Sequence, residues 1–175
     1  MNKKEKIIFF GGAIQGSLNK EETTAISKQF LETIKESGFQ LFTEHTKELN
    51  FFKSRESLEK KFGSLPTDEL EYRNLVRNKL IEGIEGNICG AIFEVSTPSL
   101  GTGIEIAHAY LRPKLGLPPI PILALYRKDS WSNKLSTMIR GISKEIYPNF
   151  TVYDYTSIEN GKLAIKEFLK NCNNL

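Results

Sequence analysis

The stretch EVSTPSLGTGIEIAHA, residues 94–109, gathers residue types that can do chemistry. A lone carboxylate, Glu105, stands just inside a segment whose apolar spacing predicts a helix. Ahead of it come Ser99, Gly101 and Gly103. Glycines leave bare backbone N–H groups at the positive end of a helix, and a serine hydroxyl there caps the helix or binds an anion. The helix dipole is expected to help keep Glu105 ionised. A glutamate early in a helix is common and by itself means little. Two glycines that weaken the helix at the end of an apolar strand are harder to explain structurally, and they favour a functional reading.

A second glycine cluster, GGAIQGS, places Gly11, Gly12 and Gly16 after the first apolar run. Such a loop lets a ligand approach the backbone, and a plain structural turn is an equal alternative. The spacing is not G-x-G-x-x-G, and no G-K-[ST] follows, so neither a dinucleotide nor a nucleoside triphosphate fingerprint is present. The two histidines are His45, after a strand end, and His108, one turn beyond Glu105. His45 is placed to hydrogen-bond a ligand or to serve structure; His108 reads as a packing or orienting residue. Two histidines and two distant cysteines, Cys89 and Cys172, give no credible metal cluster. Trp131 suits a pocket mouth or an interface.

These residues need a frame, and strand and helix signals alternate along the chain. KIIFFGG, FQLFTEH, CGAIFEV, PIPILALYR and FTVYDY read as five strands. Between them lie a helix through Ala25, Ile26, Phe30 and Ile34 with Asn19 and Glu22 as a capping box, and one capped by Thr67 with Leu75, Val76, Leu80 and Ile84 on one face. The helix after Gly103, a short one over NKLSTMIRGI and a final one capped by Ser157 complete the set. The polar stretch 47–66 is long for a loop and has room for a short helix or a lid. Single helices between strands imply an α/β, flavodoxin-like doubly wound sheet of about five parallel strands with helices on both faces. Ligands bind such sheets beyond the strands' carboxyl ends, which is where both glycine loops fall.

The 175 residues suit one domain, 1–175, with 39% hydrophobic and 26% charged residues. A net charge of +3, without a basic stripe among aromatics, argues against polymeric nucleic acid. No segment has the length of a membrane span, and the two cysteines read as idle thiols, so a cytoplasmic protein is expected.

IIFFGGAIQGS, LFTEHT, FEVSTPSLGTGIEIAHA, PILALYR and KLSTMIRGI stand in an order that resembles the 2'-deoxynucleoside 5'-monophosphate N-glycosidases, within the nucleoside 2-deoxyribosyltransferase superfamily. The resemblance covers nearly the whole chain. It implies hydrolysis of the bond between base and sugar in a nucleoside monophosphate, with Glu105 as the nucleophile that forms a glycosyl ester. It implies no metal or organic cofactor. Ser99, Gly101 and Gly103 match the phosphate cradle. Gly12, Ala13, Ile14, Gln15, Gly16 and Ser17 would wrap the nucleotide, and His45 would border base or sugar. Ser136, beside Met138, would reach the phosphate from the second subunit of a homodimer.

The chain departs from the family pattern at three places. Phe9 or Phe10 stands where a tyrosine holds the nucleophile, and Gln15 matches a phosphate-binding arginine. The aspartate that protonates the leaving base is best matched by Asn78, which has no proton to give; Glu71, Glu82 and Glu85 are nearby candidates for a substitute, each read more readily as a solvent-facing helix charge. Two further readings are therefore a deoxyribosyltransferase and a nucleotide-binding or sensing protein. A second base added to the reaction separates the first from a hydrolase, and binding without base release marks the second.

Overall fold

The structure, a computed structural model, describes residues 6–13, 20–42, 59, 63–129 and 134–172. In chain order the elements are β1 (Ile7–Gly12), α1 (Lys20–Glu36), β2 (Gln40–Leu41), α2 (Glu69–Glu85), β3 (Gly90–Glu94) and α3 (Leu100–Tyr110). A 3-10 turn (Arg112–Leu115), β4 (Ile122–Arg127), α4 (Thr137–Arg140), β5 (Phe150–Tyr155) and α5 (Ile158–Cys172) follow. Among the described residues five strands form one sheet in the order β2-β1-β3-β4-β5, every neighbouring pair parallel. This is the flavodoxin-like doubly wound architecture that the alternating sequence implied.

Parallel strands covered on both faces must be apolar on both, and β3 is buried along its whole length. Alternate side chains sort onto the two faces. Ile8, Phe10, Ile92, Leu123 and Leu125 pack with Phe30 and Ile34 of α1 and Ile165 and Leu169 of α5. Phe9, Ala91, Phe93, Ile122 and Ala124 pack with Ile84 of α2 and Ile106 and Ala109 of α3. Each large aliphatic or aromatic side chain so buried contributes about 1.5–3 kcal/mol. The chain leaves β1 towards β2 and returns to β3 on the other side, so strand order reverses between β1 and β3. Gly11 pairs with Phe93 and Gly12 with Glu94, which sets the carboxyl ends of these strands level.

Several local expectations change. Asp68, not Thr67, caps α2: its Oδ1 accepts from the N–H groups of Leu70 and Glu71, both at 3.0 Å. A carboxylate accepts two donors at the positive helix end, which a hydroxyl at the preceding residue does not match. Asn19 lies outside the described residues, and Glu22, its expected capping partner, instead meets Arg127 at 2.5 Å. The helix expected over NKLSTMIRGI is a single turn, Thr137–Arg140, stopped by Gly141. Of the 47–66 stretch only Glu59 and residues 63–66 are described; Leu65 packs with Tyr72 in a small separate cluster. Cys89 and Cys172 are free thiols, and burial pushes Cys172 up to about 12. Among the described residues no helix is long and apolar enough to cross a membrane.

Candidate active site

Ser99 sets the start of α3. Its backbone is extended, its Oγ accepts from Thr102 N at 3.3 Å, and its carbonyl accepts from Gly103 N at 3.0 Å. Glu105, the sixth helical residue, then projects over the end of β1. Its carboxylate rests on Gly11: a Cβ there would stand 2.6 Å from Glu105 Oε2 and 2.7 Å from Phe93 Cδ1. Glycine is thus the residue that lets carboxylate and strand approach. Phe9, on the same face two residues earlier, stacks on Phe42 at 6.0 Å and lies 5.9 Å from Phe93. The floor beneath Glu105 is apolar, and burial pushes its carboxyl up from 4.5 to about 7, with no hydrogen bond from a described residue to offset it. The expectation that the helix dipole keeps Glu105 ionised is therefore corrected. The dipole acts within the first turn, Glu105 lies in the second, and desolvation wins.

The glycines ahead of Glu105 answer to no packing demand within the described residues. A Cβ on Gly103 would meet nothing within 4 Å, and one on Gly101 would meet only Ser99 Oγ at 3.9 Å. Both keep negative φ. Each weakens the helix by about 1 kcal/mol relative to alanine, so their value lies in leaving space outside the protein. The N–H groups of Leu100 and Gly101 precede the first helical bond, which Gly103 makes, and suit an anion.

Ser99 and Gly103 share a groove of about 570 Å³ with Ser136 and Met138 of the same chain. Its walls are mostly apolar, and Leu100, Ile104 and Met138 are 92%, 50% and 79% exposed. Glu105 does not line this groove; it faces the opposite side of α3, towards β1. Ser136 caps α4 through Met138 N at 3.2 Å.

Across the sheet, Glu94 is buried at the end of β3. Its Oε1 accepts from Ser96 Oγ, from Tyr155 OH at 3.1 Å and from Ser96 N at 3.3 Å. Burial raises this carboxyl too, with the bonds from Ser96 and Tyr155 and the nearby Arg127 working against the rise. Ser96 Oγ also accepts from Arg127 N at 2.7 Å. Sequence reasoning passed over this cluster and over Gly11 as the seat of Glu105. The available signal was a carboxylate at the end of the apolar run CGAIFEV, since a buried charge needs partners.

The remaining candidates scatter. Gly12 is half-buried and Ala13 buried at the end of β1. Ile14, Gln15, Gly16, Ser17 and His45 lie outside the described residues, as does Trp131. Asn78 is exposed on α2, its Oδ1 accepting from Arg77 Nη1 at 3.2 Å. Glu82 pairs with Lys79 at 2.6 Å, and Glu71 is exposed. Glu85 is engaged by His108, Nδ1 to Oε1 at 2.6 Å, a half-buried link between α2 and α3. Among the described residues no group of three or more His, Cys, Asp or Glu is placed to hold a metal ion.

No protein-family model matches the chain. Two curated relatives align with it over most of its length. One, from Thermofilum pendens, is 32% identical over 132 residues, 75% of this chain and 75% of its own. The other, from Trichoplax adhaerens, is 30% identical over 152 residues, 86% of this chain and 85% of its own. Both bear the name "Putative 2'-deoxynucleoside 5'-phosphate N-hydrolase 1".

Proposed function

The chain belongs to the family of 2'-deoxynucleoside 5'-phosphate N-hydrolases, and from that premise we propose that it cleaves the N-glycosidic bond of (2'-deoxy)nucleoside 5'-monophosphates. The observation that carries this reading is the Glu105 carboxylate, half-buried and seated on Gly11 at the switch point of the sheet without a hydrogen bond from any described residue. A carboxylate kept that way has a raised proton affinity, and hence a lone pair available for attack.

In the proposed reaction, ionised Glu105 attacks the anomeric carbon as the bond to the base nitrogen breaks, through an oxocarbenium-like transition state. The bonding pair leaves with the base, which takes up a proton. Water then attacks the same carbon of the glycosyl ester, losing its proton and releasing sugar 5-phosphate and the Glu105 carboxylate. The phosphate sits on Ser99 Oγ and the free N–H groups of Leu100 and Gly101, in the space left by Gly101 and Gly103. Residues 12–17 and His45 are assigned to the rest of the nucleotide by the family resemblance alone. Asn78 is assigned a hydrogen bond to the base, so the proton comes from elsewhere. No step requires a metal or organic cofactor.

In this reading a homodimer covers the groove through the exposed Leu100, Ile104 and Met138; Ser136, which lines the groove beside Ser99 of its own chain, would reach a phosphate held by the second subunit. Base release from each of the eight common ribo- and deoxyribonucleoside monophosphates, read by chromatography, tests the function. Glu105→Ala should lower it by about 10³-fold or more. Unchanged release in that variant would refute the assignment, and exchange of an added base into nucleotide would make the enzyme a transferase. Phe9, which offers no hydroxyl to Glu105, and the exposed Asn78 favour one second reading: a nucleotide-binding protein with slow or lost chemistry. Nucleotide binding without base release would support it.

A further inference from the structure

The Glu94 cluster has no part in the reaction proposed above, yet a buried carboxylate with three donors on one oxygen is an unusual investment for a strand end. The cluster ties three strands together. Glu94 closes β3, Tyr155 comes from the end of β5, and Ser96 Oγ takes the backbone N–H of Arg127 at the end of β4. Arg127 in turn reaches Glu22 in the first turn of α1 at 2.5 Å. Ser96 is the junction, because its hydroxyl accepts from β4 and donates to Glu94, so its position is fixed from two sides.

Only Thr97 and Pro98 separate this junction from Ser99. Proline locks its own φ and confines the residue before it to extended conformations. Two residues with so little freedom transmit the position of Ser96 to Ser99, whose hydroxyl and carbonyl then start α3. Thr97 forms part of the wall of both the small polar cavity beside Glu94 and Arg127 and the groove that holds Ser99 and Ser136.

We propose that Glu94, Ser96 and Tyr155 are positioning residues that fix the Ser99 anion cradle on the sheet, and so set affinity for the 5'-phosphate of the substrate. The inference rests on the functional reading above. The cluster touches no reacting atom. Its contribution falls on substrate binding, while Glu105, seated independently on Gly11 across the sheet, carries the chemistry.

Ser96→Ala and Tyr155→Phe test this on the full chain. Steady-state kinetics use the monophosphate that the wild type turns over fastest, and amide hydrogen exchange follows Thr102 and Gly103. Each variant should raise KM about tenfold with kcat within about threefold, the loss expected from removing a bond to a charged group. Exchange at Thr102 and Gly103 should speed up relative to Ile106 and Ala109 further along α3. Ser96→Thr, which keeps the hydroxyl, should return KM towards wild type. A purely structural role would lower melting temperature and active fraction while leaving KM alone, and that result would overturn the inference. Base release by the wild type with unchanged KM in both variants would overturn the inference alone. No base release by the wild type from any monophosphate would overturn the functional reading and the inference together.

Discussion

Glu94 ends β3 on the face covered by α1 and α5, whereas Glu105 reaches the end of β1 from the face covered by α2 and α3. Burial raises both carboxyls. Around Glu94 the fold supplies Ser96 and Tyr155 as donors, whereas Glu105 meets a glycine and an apolar floor of Phe9 and Phe93. A satisfied buried carboxylate stabilises one geometry. An unsatisfied one holds free energy that is recovered when substrate or a proton arrives. The carboxyl end of one sheet therefore carries a satisfied carboxylate on one side and an unsatisfied one on the other.

Stability should separate the two most widely. The rise of Glu105 from 4.5 to about 7 means that burial favours the protonated form, so the cost of its charge starts above pH 4.5, is still small at pH 5 and is fully expressed above pH 7. Glu105→Gln should therefore stabilise the fold at pH 8 by up to about 3 kcal/mol and change it little at pH 5. Glu94→Ala, which strands the buried donors of Ser96 and Tyr155, should destabilise it at both pH values by about 1–3 kcal/mol. Urea melts at both pH values read the contrast; stabilisation by both variants at pH 8 would erase it.

Gly11→Ala attacks the Glu105 side alone. The added Cβ must displace a carboxylate at 2.6 Å and a Phe93 ring atom at 2.7 Å, and a displacement near 1 Å lowers kcat about 10²-fold. Rates near wild type would mean that Glu105 does not work from this seat.

A smaller effect sharpens the difference by pH. If ionised Glu105 is the nucleophile, kcat/KM should fall tenfold per pH unit below a midpoint of about 7. A midpoint near the ordinary carboxylate value of 4.5 would contradict the burial of this group.

Much of this was legible in the sequence because periodicity and punctuation are local. Five apolar runs separated by helical spacing gave strand number, order of elements and the flavodoxin-like class. PSLGTGIE marked the start of α3 and the candidate anion cradle through residue types alone. What stayed hidden depends on contacts across the sheet. Gly11 reads as a turn glycine until α3 is laid over β1 and a carboxylate fills the place of its Cβ. Glu94 and Tyr155 lie 61 residues apart and meet only through the pairing of β3, β4 and β5. The dipole expectation failed for a similar reason, since distance along a helix says nothing of the aromatic floor beneath its side chain. Thr67 and Asp68 show the limit at a single boundary, where two adjacent capping types compete and the one with two acceptor contacts prevails.

The most direct measurement is peptide mass analysis of the wild type, acid-quenched during turnover of its best monophosphate, with fragmentation to locate any adduct. The expected result is a glycosyl 5-phosphate ester on Glu105, absent from Glu94 and lost together with base release in Glu105→Gln. An ester on Glu94, or base release that persists in Glu105→Gln, would contradict the division of roles between the two carboxylates.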